Sequence, residues 1–439
     1  MDASSRDRLY IQRALDLAAR GIGRVEPNPM VGAVVVQGDR IVGEGYHQRF
    51  GGPHAEVIAL QAAGSEARRA ELFVSLEPCC HQGKTPPCTG PILASGIRRV
   101  VAAVIDPFPQ VSGRGMSVLK AAGLETVLGV MEEEARRLNA AFFKRQRTGL
   151  PLVIAKWAMT LDGRLATAAG ESRWISSEES RRRVHEVRRI VDAVLVGAGT
   201  VLADEPSLTV RHVEPLPERG QPTRVVVDGQ LAIDPAREPM RTARQVPVIV
   251  FTSEEALRNR ADKADALRQA GCELVAVPRQ CSTPAPGREG RSAIHTAEGG
   301  CATNETQRGG TETERGGQSC PPRGSPPNGR GGQGFPPRTG SGAATAPLSL
   351  RAVLENLGRR GMSRVLVEGG ARIFRSLFAE GLADRVMVFV SPKILGSADA
   401  LGPVSGLDGR SLMQALQIHD MTAEPVGPDI LIQGRLGEF

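Results

Sequence analysis

Apolar residues recur at helical spacing over residues 7–19, where Tyr10, Ile11, Ala14, Leu15 and Ala18 share one face and Gly21 supplies a stop. Asn28, between two prolines, marks a fixed turn, and the period then shortens. Residues 31–36 and 41–46 predict two strands joined through Gly38 and Asp39. Residues 55–63 return to a helix. Strands are predicted over 71–76, 98–105 and 124–128, the last followed by a helix through Glu134 and Leu138. Strands alternating with helices predict an α/β layered domain. At Thr148-Gly149-Leu150-Pro151 the pattern restarts, which divides the chain into residues 1–148 and 150–439.

The second part predicts strands over 152–158, 193–196, 273–277 and 364–367. Ser176-Ser177-Glu178-Glu179 has the capping-box form, a serine and a glutamate three apart, and predicts a helix from there to about residue 190. Residues 371–380 predict another helix, with Ile373, Phe374 and Leu377 on one face, and a further helix begins near Leu348. Small residues follow two of the strands, at Gly197-Ala198-Gly199 and Gly369-Gly370, and predict loops that a phosphate can approach closely. The pair favours a nucleotide, although the full Gly-x-Gly-x-x-Gly fingerprint is absent. Between residues 282 and 347 the only large apolar side chains are Ile294 and Phe335. So little apolar surface cannot offset the entropy of ordering, which predicts a disordered insertion over about 281–347.

The chemistry concentrates between His54 and Cys88. His54-Ala55-Glu56, Pro78-Cys79-Cys80 and Pro86-Pro87-Cys88 offer one imidazole, up to three thiolates and a carboxylate. Zinc prefers such a nitrogen and sulfur set, and three protein ligands leave a fourth position for water, which loses a proton near neutral pH. A glutamate outside the ligand set can carry that proton to a leaving group. His-x-Glu followed by Pro-Cys is the arrangement of zinc deaminases acting on amino-substituted pyrimidines and purines. Here, however, Cys79 and Cys88 stand nine positions apart rather than in a Cys-x-x-Cys pair.

These motifs, with Pro27-Asn28-Pro29-Met30-Val31-Gly32 and Lys84-Thr85-Pro86-Pro87-Cys88, resemble the deaminase half of the bifunctional riboflavin-biosynthesis deaminase/reductase family. The resemblance implies a cytidine-deaminase-like three-layer domain with one zinc ion on His54, Cys79 and Cys88 and Glu56 as proton shuttle. It also implies that Asn28, His47, His81, Lys84 and Asp106 line the pyrimidine and phosphate pocket. Lys156-Trp157-Ala158, Thr160-Leu161-Asp162-Gly163, Thr200-Val201-Leu202-Ala203-Asp204, Leu208-Thr209-Val210-Arg211 and Val367-Glu368-Gly369-Gly370 resemble the reductase half, similar in fold to dihydrofolate reductase. There the likeness implies NADPH contacts at Ala158, Trp174, Thr200, Asp204 and the run Gly370, Ala371, Arg372, Ile373, Phe374, Arg375 and Ser376. Ser172, Arg188, Leu208, Arg211 and Glu368 would contact the ribosyl phosphate substrate. Gly229 follows the strand-end Asp228, where the family often has a serine. Implied too are turnover of phosphorylated pyrimidines and homo-oligomers formed through the reductase half.

The rest of the composition narrows the picture. A formal net charge of +7 is compatible with nucleic acid, but the arginines are scattered rather than set in one stripe, and two Trp with two Tyr supply few stacking platforms. No nucleic-acid partner is expected. Seven cysteines, three of them in the metal-like motif, argue for a reducing compartment. The first residues lack the apolar run of a signal peptide and no stretch is long and apolar enough to span a bilayer, so a cytoplasmic protein without a membrane partner is expected. Two other classes stay open: a deaminase of nucleic-acid bases with an accessory domain, and a binding protein stabilised by a closed four-ligand zinc site that uses Cys80.

Overall fold

A computed structural model describes residues 3–280, 346–404 and 414–437. It holds two sheets. The first contains β1 (Gly32–Gln37), β2 (Arg40–Tyr46), β3 (Glu71–Val74), β4 (Arg99–Ala102) and β5 (Glu125–Leu128) in the order β2-β1-β3-β4-β5. The β2-β1-β3 part is antiparallel and β3-β4-β5 parallel.

Both faces of this sheet are covered, which is why its central strands read as nearly unbroken apolar runs. Ala33, Val35, Leu72, Val74, Val100 and Ala102 point to one core with the helix Ala55–Ala63. Val34, Val36, Phe73 and Val101 point to the other, under the helix Ala3–Ala19. The three-layer arrangement expected from the sequence is therefore present. Gly43 and Gly45 set the depth of the first packing: a Cβ on either would meet the Ala59 or Ala55 carbonyl oxygen at 2.2 or 2.5 Å. The helix that carries Glu56 thus rests directly on the β2 backbone.

The second sheet contains β6 (Leu152–Thr160), β7 (Ala193–Gly197), β8 (Thr223–Val227), β9 (Val248–Thr252), β10 (Glu273–Ala276), β11 (Arg364–Val367), β12 (Arg385–Ser391), β13 (His419–Val426) and β14 (Asp429–Arg435). Its order is β10-β9-β8-β7-β11-β6-β12-β14-β13. All neighbours are parallel up to β12, and β12-β14-β13 is antiparallel. Two cores again lie on opposite faces, one with Val153, Ala155, Val365 and Val367, the other with Val194, Val196, Val226 and Leu366. Because β11 enters between β7 and β6, the ends of three strands distant in sequence become neighbours.

Several local expectations change. The first helix begins at Ala3 rather than residue 7. Residues 198–204, read as a loop, form the short helix Ala198–Asp204 that follows β7 without a break. The capping box does not form. Ser177, not Ser176, is the N-cap of the helix Glu178–Ile190, and its side chain accepts from Ser180 N, so no glutamate stands at the third helical position. Asp429 on β14 takes the glutamate's place: its Oδ2 accepts from Ser177 N at 2.7 Å and Ser180 Oγ at 2.6 Å. Short-range reasoning could not supply a partner 252 residues away. The helices Thr89–Ala94, Arg114–Ala121 and Ala140–Thr148 and the strands β9, β12, β13 and β14 were not anticipated. The expected insertion lies almost wholly outside the described residues.

The segment of residues 23–28, ahead of the first sheet, is bound to the second. Glu26 pairs with Arg364 on β11, and Arg219 Nε donates to Gly23 O at 2.8 Å. Asn139 fixes the following turn by bonding both Met30 N and Met30 O at 2.8 Å.

Candidate active sites

Strand ends converge on the first site. β3 runs into Leu76-Glu77-Pro78-Cys79, β4 into Asp106, and the helix Ala55–Ala63 starts immediately after its N-cap, His54. Glu77 ties these together. Its buried carboxylate accepts from four backbone N–H groups, those of Gly113 and Gly115 at 2.8 Å and of Asp106 and Met116 at 3.2 Å. Such complete satisfaction makes it a rigid hub for the Pro78-Cys79 turn.

His54, Cys79 and Cys88 each offer one ligand atom, and all three atoms lie within 4.8 Å of one another. His54 Nδ1 faces both sulfurs, at 3.1 Å from Cys88 and 3.5 Å from Cys79. Its other nitrogen, Nε2, is 3.1 Å from Thr85 Oγ1, which fixes the ring so that Nδ1 is the metal-facing atom. A hydrogen bond from Cys88 holds the Cys79 thiol well below the ordinary thiol range, despite its burial, with His54 adding to the effect. A thiolate beside an imidazole and a second thiol suits zinc. Cys80 is turned away, with its Sγ 3.7 Å from Gln110 O, so a four-ligand site using Cys80 is not formed.

Glu56 is buried, and burial pushes its carboxyl up to about 6. It lines a cavity of about 280 Å3 together with His54 and Cys79, and all five expected pocket residues, Asn28, His47, His81, Lys84 and Asp106, line the same cavity. His47 Nδ1 sits 3.0 Å from Pro53 O, an atom that only accepts, so Nδ1 carries the proton. His47 Nε2 then accepts from Asn28 Nδ2 at 3.2 Å, which leaves Asn28 Oδ1 as an acceptor. Burial also pushes the His47 pKa down, consistent with a neutral ring. Asp106 is pushed up to about 7 by burial while its Oδ1 accepts from Phe108 N. Phe50, Phe108, Phe142 and Arg145 line the cavity too and were missed. Phe142 and Arg145 come from the helix Ala140–Thr148, about 90 residues past the His54 motif, and only the packing of that helix brings them in.

The second site forms at the carboxyl ends of β7, β11 and β6, the crevice position of a parallel sheet. Adjacency of these strands gathers Ala158, Thr200, Glu368 and the Gly370 turn. Gly369 and Gly370 have φ of 108° and 93°, and a Cβ on them would meet Thr200 Oγ1 at 3.3 and 3.6 Å. Only glycine allows this close turn, which opens into the helix Ala371–Ala379 and leaves backbone N–H groups free for a phosphate. Within that run Phe374 is wholly buried against Trp157 and Phe378 and its N–H is bonded to Gly370 O, so the structure does not bring this expected NADPH contact to the surface of the site. Leu208 is likewise buried, with φ of 56°.

Arg188 and Glu368 bond to each other through a two-pronged pair at 2.5 and 3.0 Å, and Arg188 Nη1 also reaches Thr209 O. Lys156 Nζ stands 3.8 Å from Glu368. This largely covered lysine was quoted in the sequence motif but not singled out; a lone cation inside the apolar strand Leu152–Thr160 was the available signal. Arg211 N donates to His185 Nδ1, and Ser172 Oγ bonds Asp204 Oδ1 at 3.0 Å. Trp174 is exposed, with the Arg181 guanidinium 4.4 Å from its ring centre. Asp228 spends its carboxylate on Gln230 N and Ile233 N.

Comparisons with known proteins cover both halves of the chain. Residues 4–104 match the cytidine and deoxycytidylate deaminase zinc-binding region, and residues 151–279 and 340–432 match the RibD C-terminal domain. The riboflavin biosynthesis protein RibD of Aquifex aeolicus (strain VF5) is 37% identical over 426 residues, 97% of either chain. That of Escherichia coli (strain K12) is 35% identical over 436 residues, 97% of this chain and 98% of the other. Among solved structures, Acinetobacter baumannii RibD, form 1, gives a TM-score of 0.74 at 29% identity, covering 99% of this chain and all of its own. The diaminohydroxyphosphoribosylaminopyrimidine deaminase/5-amino-6-(5-phosphoribosylamino)uracil reductase of Thermotoga maritima gives 0.72 at 33% identity and 99% coverage of both. A deaminase zinc-binding region and a reductase domain in one chain, at these identities over nearly its full length, mean that it belongs to the RibD family of bifunctional riboflavin-biosynthesis deaminase/reductases.

Proposed function

We propose that the first site deaminates 2,5-diamino-6-(5-phosphoribosylamino)pyrimidin-4(3H)-one and that the second reduces the product's ribosyl chain to ribityl with NADPH. The observation that carries the first half is the trio of His54 Nδ1, Cys79 Sγ and Cys88 Sγ within 4.8 Å, with the buried Glu56 two residues from His54 on the same cavity wall. Those three residues would hold one zinc ion, which supplies an open position where water is acidified and a ring carbon can be attacked. Glu56 takes the proton of the attacking water and delivers it to the 2-amino group, which leaves as ammonia while the ring gains a carbonyl. Asn28 Oδ1 and Asp106 orient the ring.

In the second site the glycine turn at Gly369 and Gly370 fits a cofactor phosphate, and NADPH would supply the hydride. Arg211 would meet the substrate phosphate, whose oxygens suit a planar guanidinium, while the Arg188 guanidinium is held by Glu368 and Thr209 O. Among the described residues no helix is long and apolar enough to cross a membrane. The edge strand β13 is exposed along nearly its whole length, with Ile418, Met421 and Ile430 uncovered nearby. An open apolar edge of this kind supports a homo-oligomer formed through the reductase half.

The test supplies the diaminopyrimidinone phosphate together with NADPH and follows ammonia and NADPH absorbance in one assay. Ammonia release first, then NADPH oxidation dependent on it, is expected. NADPH oxidation without ammonia, or neither, would overturn the assignment.

A further inference from the structure

The loop between the helix Ala198–Asp204 and β8 carries Leu208 and Arg211, and three of its residues, Glu205, Leu208 and His212, hold positive φ of 44°, 56° and 61°. Such backbone persists only where its surroundings over-determine it. Residues 206–212 make no backbone–backbone hydrogen bond among the described residues. Side chains from other elements hold them instead. Arg224 Nη1 donates to Ser207 O at 3.4 Å and Arg188 Nη1 to Thr209 O at 2.9 Å.

Val210 is held at both of its polar backbone groups by one side chain. Gln221 Oε1 accepts from Val210 N at 2.6 Å, and Gln221 Nε2 donates to Val210 O at 3.2 Å. A carboxamide offers a donor and an acceptor side by side, so it does here what a neighbouring strand does in a sheet. Val210 is buried, and without this partner its N–H and carbonyl would lose their bonds away from water. The next residue is fixed as well, because Arg211 N donates to His185 Nδ1 at 3.1 Å, from the helix Glu178–Ile190. The Arg211 side chain itself has no hydrogen bond or ion pair among the described residues, although it senses the charges of Arg188 and Glu238. Its donors are left for an anion.

We infer that Gln221 is a positioning residue of the reductase site: its carboxamide fixes Val210 so that the next side chain, Arg211, is set to receive the phosphate of the reductase substrate. This rests on the reductase reading above. Gln221 stands on a rigid base, since Pro222 follows it and Thr223 N, at the start of β8, donates to Asp192 O at 2.9 Å. It acts through the Val210 backbone, and therefore on affinity for the phosphate rather than on hydride transfer.

The test follows NADPH oxidation by the full-length protein on the deaminated pyrimidine phosphate. Gln221→Met keeps the length of the side chain and removes both bonds. KM for the phosphate substrate is expected to rise about 10-fold, the worth of one or two hydrogen bonds, with kcat changed less and KM for NADPH unmoved. Ammonia release at the other site reports that the variant is folded. Gln221→Glu keeps the acceptor for Val210 N and should restore part of the affinity. In an Arg211→Gln background, where KM is already raised, Gln221→Met should add little, because the two residues act as one unit. Full additivity, an equal rise in KM for NADPH, or an unchanged KM in Gln221→Met while Arg211→Gln raises it, overturns the inference alone. If Gln221→Met does not fold, Gln221→Glu must raise KM for the phosphate substrate, and a wild-type value there overturns the inference. A wild-type KM in Arg211→Gln, or a wild type that oxidises no NADPH, overturns the reductase reading itself.

Discussion

Thr85 Oγ1 lies 3.1 Å from Nε2 of His54, on the side of the ring away from the two sulfurs. A residue from the turn-rich stretch between Cys80 and Cys88 thereby decides which imidazole nitrogen faces the metal position. Thr85→Val keeps the volume and removes the hydrogen bond. Zinc affinity, measured by chelator competition, is expected to fall about 10- to 100-fold, as for other groups that orient a ligating histidine. Unaltered affinity would remove Thr85 from the site.

Glu56→Gln separates metal binding from proton transfer. One zinc per chain should remain by elemental analysis, whereas ammonia release should drop by about 100- to 10,000-fold. Unchanged ammonia release would refute Glu56 as proton carrier.

Cys80 answers the question of a closed site. Its sulfur points to Gln110 O and outside the ligand trio. Cys80→Ser should retain zinc and ammonia release alike; loss of the metal would mean that the thiolate at 80 is a ligand.

Much of this centre was readable before any coordinates, because imidazole, thiolate and carboxylate in a short span have few other uses. Its walls were not. Phe142 and Arg145 reach the cavity only through the packing of the helix Ala140–Thr148. The same limit explains the capping box. Serine and glutamate three apart is a local signal, yet Asp429 from the far end of the chain supplies the carboxylate. Nearly unbroken apolar runs marked the central strands of the first sheet to within a few residues, since both faces of that sheet are buried. By contrast β13, exposed almost throughout, carries no such pattern and went unnoticed.

NADPH should protect the protein against heat. At a concentration about 100-fold above its Kd, binding to the folded state alone contributes about 2.7 kcal/mol, seen as a rise of several degrees in Tm. The Gly369 and Gly370 turn predicts that Gly370→Val abolishes this rise, since its φ of 93° is one that a β-branched side chain strains to adopt. A persistent rise in that variant would place the cofactor elsewhere.

Acid should loosen the reductase half. Burial alone would raise the Glu368 carboxyl, but Arg188 and Lys156 outweigh it and hold it at about 2. The folded value lies below the ordinary one of about 4.3, so the pair's stabilisation is complete above that pH and is lost as pH falls from there toward 2. Glu368→Gln should flatten this part of the stability curve and cost about 3 kcal/mol near neutrality, because it leaves buried cations without a counter-charge. Chemical denaturation at several pH values measures both effects.

Glu26, bonded to Arg364 of β11, sits two positions before Asn28 of the deaminase cavity. A chain cut at Gly149 would carry that acidic side chain away from its basic mate, stripping the Asn28 turn of its outer brace. What looks along the sequence like a natural seam is, in the folded molecule, stitched across by this pair.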